Sequence, residues 1–389
     1  MIHTLKLLKL MTITMIMRVL FRVFYIFPIR KNRVLFQAFR EKQYSCNPKY
    51  ISRKLRELYG DDVEIGWSFR NPEPFRYLEK EGIRVLKSRT LALYKFALTA
   101  KVVCTNTYYK PTLPRRRGQF FIRTWHGGGA YKRVGRMEKL PYLKKKSLEL
   151  QAQGAHLYLS SSKAFTQMTI RDSFGYTGEV MECGMPRNDI LLNGDHEAVS
   201  ARVKKALGFK EDERLALYAP TYRYDLGLDH YDIDYKGALK ALETRFGGKW
   251  KFAFRTHNFV EMKAGDRIGN DVTDATDYPD MQELLIAADA LFTDYSSSIW
   301  DMSLMYKPAF LYATDLKAYE SGRDFYMDIH LWPFPLSENN EELIKNILSF
   351  DEEKYRKDVK AHHDTLGSCE TGCASEMVAR RIFDVMTKG

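Results

Sequence analysis

The sequence predicts an α/β protein of two doubly wound domains that face each other across a cleft. Three observations predict this fold class. Short apolar strands alternate with helical segments, which is the pattern of a parallel sheet covered by helices on both faces. The alternation is interrupted by a polar stretch near residues 193–200 and then starts again. The chain has 389 residues, which is too long for one ordinary hydrophobic core and suits two.

The first domain is predicted from residue 30 to residue 195. Its strands are short runs of apolar and β-branched residues, predicted at 33–39, 63–69, 83–86, 101–104, 119–122, 155–160 and 180–181. Helices are predicted at 48–59, 74–81 and 90–99 and from Lys163, where Ser162 is expected to cap the first turn. Strand and helix therefore alternate through the whole domain.

The second domain is predicted from residue 196 to residue 389. Strands are predicted at 215–219, 250–254, 290–293 and 308–312, and helices at 281–288, 296–305, 341–348 and 376–386. In open parallel sheets, ligands bind beyond the carboxyl ends of the strands. The cleft between two such sheets is therefore the expected site.

Residues 1–29 are predicted to form a separate helix at the membrane surface. The segment 10–29 is apolar and aromatic, but Arg18 and Arg22 interrupt it and share one helix face with Thr14. Two arginines near the middle of a membrane span are costly, so we favour an interfacial amphipathic helix over a transmembrane span or a buried helix. The basic flanking residues that suit anionic lipid on the cytoplasmic side are Lys6, Lys9, Arg30, Lys31 and Arg33.

The charge of the chain indicates an anionic partner. The formal net charge is +12, and the excess lies in two blocks: eight Lys/Arg without an acid in the first forty residues, and twelve Lys/Arg against Glu138 in 110–146. A non-catalytic basic module for membrane is one alternative, whereas motifs for nucleic acid are absent. The five cysteines form no C-x-x-C pair, which indicates reduced thiols in a cytosolic protein.

Polar clusters follow five of the predicted strands, at 124–127, 184–189, 220–223, 255–257 and 294–298. In the last cluster Ser296, Ser297 and Ser298 open a helix, where free N–H groups and hydroxyls suit a phosphate or pyrophosphate. A plain serine cap is the alternative. Arg223 and Arg255 can clamp phosphate oxygens, although either could form a surface salt bridge.

Two histidines are the candidates for acid–base chemistry. His126 is followed by Gly127, Gly128 and a third glycine, which let backbone N–H groups approach a ligand closely. His257 follows a strand of the other domain, so the two histidines are expected to face each other across the cleft. No His, Cys and Asp cluster has the spacing of a metal site, so neither a metal nor another cofactor is predicted.

Longer motifs surround these candidates in a fixed order. They are Thr124-Trp125-His126-Gly127 with Lys132 and Gly135; Gly184-Met185-Pro186-Arg187-Asn188-Asp189; Tyr218-Ala219-Pro220-Thr221-Tyr222-Arg223; Arg255-Thr256-His257; and Thr293-Asp294-Tyr295-Ser296-Ser297-Ser298 with Asp301 and Lys307-Pro308. Over roughly residues 30–380 the series resembles the CDP-glycerol glycerophosphotransferase family, the teichoic-acid enzymes of Gram-positive bacteria.

The resemblance implies a GT-B-type fold, with an acceptor-side domain at 30–195, a nucleotide-binding domain at 196–389, and the last helix packing back on the first domain. It implies transfer of glycerol phosphate from CDP-glycerol to a hydroxyl of a lipid-linked glycan or glycerol phosphate acceptor, with release of CMP. It also implies a peripheral protein on the cytoplasmic face of the cell membrane. Another CDP-polyol such as CDP-ribitol, or a nucleotide sugar, is the alternative donor.

The resemblance also implies roles for individual residues. By position, His126 is the general base on the acceptor hydroxyl, and His257 stabilises the transferred phosphate or the departing CMP. The implied donor-side residues are Arg223, Arg255, Asp294, Ser296, Ser297, Ser298, Thr276 and Glu283. The implied acceptor-side or cleft residues are Trp125, Gly127, Gly128, Lys132, Arg187, Asn188 and Asp189.

Three positions depart from the family pattern. Two more glycines follow His126-Gly127 where the family often has Thr-Pro, Asn258 stands where proline commonly follows the second histidine, and Trp300 stands where phenylalanine usually precedes the aspartate. The chemistry implied by the resemblance survives these changes, whereas the acceptor and the transferred group stay open.

Overall fold

The computed structural model describes residues 12–109, 112–221, 232–255, 272–322 and 324–388. Two parallel sheets form within these residues, and helices cover both faces of the first sheet. The predicted α/β class of two doubly wound units is therefore confirmed.

The first sheet has the strand order β3-β2-β1-β4-β5-β6-β7. Its strands are β1 Arg30–Gln37, β2 Glu64–Phe69, β3 Arg84–Lys87, β4 Ala100–Thr105, β5 Phe120–Arg123, β6 Leu157–Ser160 and β7 Glu179–Glu182. The helices that accompany it are α1 at 12–20, α2 Cys46–Tyr59, α3 Leu91–Thr99, α4 Tyr142–Ala152 and α5 Asp189–Asn193. All described strand pairs are parallel.

Strand β1 shows why this sheet is buried on both faces. Val34 and Phe36 pack into a cluster with α2 and with the last helix, α13 Ala374–Lys388, whereas Leu35 points to the opposite cluster with α3. All three side chains are fully buried, because alternate residues of a strand face opposite sides. A run of consecutive apolar residues is therefore what the position requires.

The second sheet has the strand order β10-β9-β8-β11-β12-β13. Its strands are β8 Glu213–Tyr218, β9 Lys249–Phe254, β10 Val272–Asp274, β11 Ala290–Thr293, β12 Ala309–Tyr312 and β13 Leu336–Ser337. The helices around it are α6 His196–Leu207, α7 Tyr235–Phe246, α8 Met281–Ala287, α9 Ser298–Ser303, α10 Leu316–Gly322, α11 Asn340–Leu348 and α12 Glu352–Leu366. We call the first sheet with its helices the N-terminal half and the second the C-terminal half.

Some predicted elements differ from the structure. The segment predicted as a helix at 74–81 is a 3-10 helix, Glu73–Glu81, and the helix expected from Lys163 contains a π-helix, Phe165–Ser173. Ser162 does cap that segment, since its hydroxyl accepts from the Phe165 amide at 3.0 Å. Helix α6 was not predicted: it begins inside the polar stretch at 193–200, because the Asp195 carboxylate caps the Ala198 amide.

The N-terminal segment packs on the helical layer of the first sheet through Phe21, with Met17 and Phe24 at its sides. Helix α1 continues as a 3-10 helix, Phe21–Ile26, and the buried ring of Phe21 lies 4.4 Å from that of Tyr94 in α3. The apolar side chains that stay exposed on this segment include Ile16, Val19, Leu20, Val23 and Ile26. None of the helices described has both the length and the apolar character needed to cross a membrane.

Helix α13 returns the end of the chain to the N-terminal half. Phe383 stacks on Tyr59 of α2 with ring centroids 3.9 Å apart. At the start of the helix, the carboxylate of Asp189 accepts from the amides of Ala374 at 3.0 Å and Ser375 at 2.6 Å. A carboxylate at a helix N-terminus satisfies free amides and suits the helix dipole, so this contact fixes where α13 begins.

Candidate active site

A cavity of about 540 Å³ opens between the two halves, at the carboxyl ends of both sheets. This size is typical of a site for a small ligand or cofactor. The N-terminal half contributes lining residues that include Phe39, Tyr108, Trp125, His126, Gly127, Gly128 and Lys132. The C-terminal half contributes lining residues that include Thr221, Arg255, Gln282, Ser296, Ser297 and Ser298. Residues from both predicted domains thus meet in one cavity.

His126 lies in the loop that follows β5, which we call the histidine loop (residues 124–131). Its Nδ1 is 3.0 Å from the carbonyl oxygen of Asn106, the residue after the neighbouring strand β4. A carbonyl can only accept, so Nδ1 carries the proton and Nε2 is the basic nitrogen. The imidazole also packs against the rings of Trp125, at 4.4 Å, and Phe39, at 5.6 Å.

The backbone of the histidine loop is strained where it enters the cavity. Trp125 and Ala130 have φ values of 56°, a region that residues with a side chain rarely adopt. Such conformations persist only where the surrounding structure imposes them, and they cluster at functional sites. The strain lies directly beside His126, which is the position where a catalytic loop needs a fixed geometry.

The second loop of the cavity, which we call the serine loop, contains Ser296, Ser297 and Ser298. The hydroxyl of Ser298 donates to that of Ser296 at 3.0 Å, and Ser297 forms the N-cap of α9 without a side-chain capping bond. A Cβ built on Gly127 would lie 3.5 Å from the Ser297 hydroxyl. The histidine loop and the serine loop therefore face each other closely across the cleft, with no room for a large side chain at Gly127.

Asp294 has a different place from the one predicted. Its carboxylate accepts from the amide of Thr221 at 2.8 Å and from that of Tyr295 at 2.5 Å. It is buried and is not among the residues that line the cavity. Instead of binding a ligand directly, it ties the end of β8 to the start of the serine loop.

Arg255 follows β9 and extends into the cavity from beneath. Its side chain is 8% exposed, and its Nη1 has no hydrogen-bond partner among the residues that the structure describes. Burial lowers the pKa of the guanidinium to about 10, an effect that the charge of Asp280 opposes. A buried cation with an unsatisfied donor is costly, and an anion in the cavity would satisfy it.

Thr276 and Glu283, predicted near the nucleotide, do not line the cavity of the described residues. The amide of Thr276 donates to Asp274 at 2.8 Å just after β10. Glu283 pairs with Lys49 at 3.5 Å and with Arg202 at 3.2 Å. Glu283 thus links the two halves through α2 and α8 rather than facing a ligand.

The acceptor-side prediction for Arg187, Asn188 and Asp189 is also altered by the structure. Arg187 forms a bidentate pair with Asp301, two bonds of 2.9 Å, and Asn188 donates to the same carboxylate at 3.0 Å. Both partners of the pair are almost fully buried. Asp189 caps α13, and Arg187 is the one of the three that lines the cavity. This cluster joins the two halves below the cavity.

Sequence reasoning missed a second buried connection between the halves. Lys49 of α2 lies 2.5 Å from Asp280, the N-cap of α8, and the hydroxyl of Tyr50 donates to the same carboxylate at 3.0 Å. An aspartate before a helical segment signals a cap, but no pattern in the sequence shows which distant lysine will reach it.

Two predicted residues, Arg223 and His257, lie outside the described residues. Among the residues that are described, no group of three His, Cys, Asp or Glu side chains could hold a metal ion.

The fold, in which two Rossmann-like units face each other across a cavity, is of the GT-B-like class. The family model described as CDP-Glycerol:Poly(glycerophosphate) glycerophosphotransferase matches residues 19–384. The chain belongs to that family. It is an enzyme of the teichoic-acid glycerophosphate and ribitol-phosphate transferase group.

Curated relatives come from several bacteria. A teichoic acid poly(glycerol phosphate) polymerase of Bacillus spizizenii is 26% identical, covering 94% of this chain and 95% of the relative. A teichoic acid ribitol-phosphate primase of the same species is 27% identical, covering 93% of each. A teichoic acid poly(glycerol phosphate) polymerase of Staphylococcus epidermidis is 28% identical. The match covers 90% of this chain but only 50% of the longer relative.

Solved structures agree with the fold. The wall teichoic acid polymerase TagF superposes with a TM-score of 0.81 at 24% identity, covering 95% of this chain and 93% of that one. A histidine-to-asparagine variant of TagF soaked with CDPG has a TM-score of 0.80 at 25% identity, covering 92% and 90%.

Proposed function

We propose that this chain transfers glycerol phosphate from CDP-glycerol to a hydroxyl of a lipid-linked glycan or glycerol phosphate acceptor, releasing CMP, in the synthesis of teichoic acid or a related cell-surface polymer. The observation that carries the proposal is that the histidine loop and the serine loop line one cavity, in which Gly127 faces Ser297. His126, the serine hydroxyls and Arg255 thus share this cavity, and Nε2 is the basic nitrogen of His126. A base next to an anion site is what phosphoryl transfer to a hydroxyl needs.

In the proposed reaction, the acceptor oxygen attacks the β-phosphorus of CDP-glycerol in line. The new bond joins that oxygen to phosphorus, the bond from phosphorus to the bridging oxygen breaks, and CMP leaves with the electron pair. Nε2 of His126 takes the proton of the acceptor hydroxyl, because Nδ1 is already committed to Asn106. No metal or cofactor is part of this proposal.

The donor phosphates are proposed to lie between the serine loop and Arg255. Arg223 and His257 are proposed to contribute to the same donor side, where His257 would stabilise the transferred phosphate or the departing CMP. Trp125, Gly128 and Lys132 line the other side of the cavity, where the acceptor is proposed to bind. The reacting groups would then be held in line between the two loops.

Replacing Arg255 is expected to weaken donor binding without lowering the stability of the fold. We expect Arg255→Met to weaken CDP-glycerol binding by about 10- to 100-fold, the value of a charge-assisted hydrogen bond. The free energy of unfolding should stay equal or rise, because a buried, unsatisfied cation is removed. Isothermal calorimetry and urea unfolding measure the two effects. Arg356→Met, on the exposed surface of α12, is the control. An unchanged dissociation constant would exclude Arg255 from the donor site.

The identity of the donor is tested by CMP release. Purified protein is incubated with a lipid-linked disaccharide that bears one glycerol phosphate, and with CDP-glycerol, CDP-ribitol or a nucleotide sugar. Release from CDP-glycerol supports the proposal. The ribitol-phosphate primase among the relatives makes CDP-ribitol the second candidate, and release from CDP-ribitol alone would replace the donor. Release from none of them would contradict the function.

We further propose that the protein is peripheral on the cytoplasmic face of the cell membrane. Two exposed apolar surfaces support this: the α1 segment, and helix α4, where Tyr142 and Leu143 are 77% and 66% exposed beside Lys144, Lys145 and Lys146. Apolar side chains beside lysines suit an anionic lipid surface. The same helix contributes Leu148 to the cavity, so an acceptor held in the membrane would be close to His126.

Vesicle binding tests the membrane proposal. Replacing Tyr142 and Leu143 by glutamate should lower binding to phosphatidylglycerol vesicles by about 10-fold or more, because two large apolar side chains are lost. The matched control replaces Leu331 and Leu348, which are exposed on the C-terminal half, by glutamate. An equal loss in both proteins, or loss of binding only on deletion of residues 1–29, would count against helix α4 as a membrane contact.

A further inference from the structure

The glycines of the histidine loop lie against one side chain of the C-terminal half, the indole of Trp300, while Tyr131 at the end of the loop packs on Trp332 and hydrogen-bonds to His362. A Cβ on Gly128 would lie 2.6 Å from Cδ1 of Trp300, and a Cβ on Gly129 would lie 2.9 Å from its Cε3. Real Cβ atoms do not approach that closely. Gly128, Gly129 and Trp300 therefore depend on each other. The large indole fits because the two glycines that cover it have no side chains.

Trp300 is itself held in place by a carboxylate. Its Nε1 donates to Oε1 of Glu370 at 3.0 Å, and its ring stacks on His363 with centroids 4.4 Å apart. The indole is fully buried. An indole that is stacked and hydrogen-bonded has one orientation, and that orientation decides how near the histidine loop can come.

Glu370 lies in the segment that crosses back from the C-terminal half to α13. Its carboxylate accepts three hydrogen bonds: from Trp300, from Asn188 at 3.0 Å, and from the amide of Met185 at 2.9 Å. Met185 and Asn188 belong to the N-terminal half, so one carboxylate gathers groups from both halves. The proposed reaction gives this residue no role of its own.

We propose that Glu370 and Trp300 are positioning residues for the transfer reaction. Glu370 holds the indole, and the indole sets the place of the histidine loop, and hence of His126, against the serine loop. The inference rests on the proposed function, in which His126 is the general base. Displacement of a base by about 1 Å can lower a rate by about 100-fold, so a residue that never touches the substrate can control the rate.

The first variant is Glu370→Gln. A glutamine offers one acceptor oxygen and one NH₂ group, so one of the three donors that face Glu370 meets another donor. We expect kcat to fall by about 10- to 100-fold, with KM for CDP-glycerol within about twofold because no donor contact is removed. Hydrogen exchange of the amides of residues 126–131 should become faster.

The second variant is Trp300→Phe, which removes the indole donor. We expect the same pattern, and we expect Glu370→Gln to add less to it than it does in the wild type, because the two changes act on one cluster of hydrogen bonds. The matched control is Trp250→Phe in β9: its Nε1 donates to the carbonyl of Gly247 at 2.9 Å, and it does not line the cavity. The control should leave both kcat and the exchange of the loop unchanged.

The pH profile gives a readout that a purely structural role would not change. Burial raises the pKa of Glu370 to about 7, so the carboxylate becomes neutral and a weaker acceptor as the pH falls through 7. The charged and titratable groups that face it are Asp301, Arg187 and the thiols of Cys183 and Cys369, whose thiol pKa values are raised. The ratio of kcat between wild type and Glu370→Gln should therefore shrink from pH 8 to pH 5.5.

These experiments distinguish failure of this inference from failure of the proposed function. If the wild type releases CMP but Glu370→Gln changes neither kcat nor loop exchange, the inference is overturned and the function stands. If the wild type releases CMP from no CDP-polyol, the proposed function fails, and loop exchange in Glu370→Gln and Trp250→Phe still decides whether Glu370 holds the loop. A fall in kcat of equal size in all three variants, with equal loss of stability, would also overturn the inference.

Discussion

His126→Ala is expected to lower kcat for CMP release by about 10²- to 10⁴-fold, the usual contribution of a general base. The cause is specific to one nitrogen. The carbonyl of Asn106 accepts from Nδ1, so Nε2 is the nitrogen that can take the acceptor proton. Donor binding should persist, since Arg255 and the serine loop are untouched, and calorimetry with CDP-glycerol measures it.

His330→Ala is the matched control for this prediction. His330 is exposed and lies in the 3-10 helix Ile329–Leu331 of the C-terminal half, away from the residues that line the cavity. It should retain full activity. Should His126→Ala keep more than about a tenth of the wild-type kcat, another group must accept the proton and the assignment of the base would be wrong.

Arg187→Ala is expected to lower the free energy of unfolding by about 3 to 5 kcal/mol, the usual cost of removing one partner of a buried ion pair. Asp301 would lose both bonds of 2.9 Å that neutralise it and would keep only neutral donors, Asn188 and Gln282. Because the pair joins the two halves beneath the cavity, kcat should fall as well. Urea unfolding followed by intrinsic fluorescence measures the stability.

An exposed ion pair provides the comparison. Arg380 pairs with Glu376 within α13, and both side chains are largely exposed. Arg380→Ala should cost less than about 1 kcal/mol, as is typical of surface pairs. If Arg187→Ala costs no more than Arg380→Ala, the pair with Asp301 does not hold the halves together.

The strands that carry the loops were predictable because burial on both faces demands consecutive apolar residues. Val34, Leu35 and Phe36 are an example, and the runs before His126 and before the serine loop are of the same kind. The short strands β10 and β13 were missed, since two or three residues give no period to detect. Helix α6 was missed because its N-cap, Asp195, was interpreted only as part of a polar break.

The site was predictable only as far as position along a strand decides it. His126, Arg255 and the serine loop follow strands, and the sheets bring their ends together. The position of a residue after a strand does not show in which direction its side chain points. Asp294 and Asp189 also follow strands or turns, but their carboxylates accept backbone amides instead of facing the cavity. In the sequence, Gly128 and Trp300 are two separate departures from the family pattern, because only the folded structure brings them together.

The capping of α13 by Asp189 has a mechanical consequence. The chain passes between the halves twice, once before α6 and once after Glu370, and the two passages lie side by side: the side-chain amide of Asn193 donates to the carbonyl of Gly372 at 3.0 Å. Two adjacent connections restrict the rotation of one half relative to the other more than a single connection would. Any opening about these passages would also have to separate the buried pairs Arg187–Asp301 and Lys49–Asp280, so the two passages and the two pairs together hold the cavity in its observed shape.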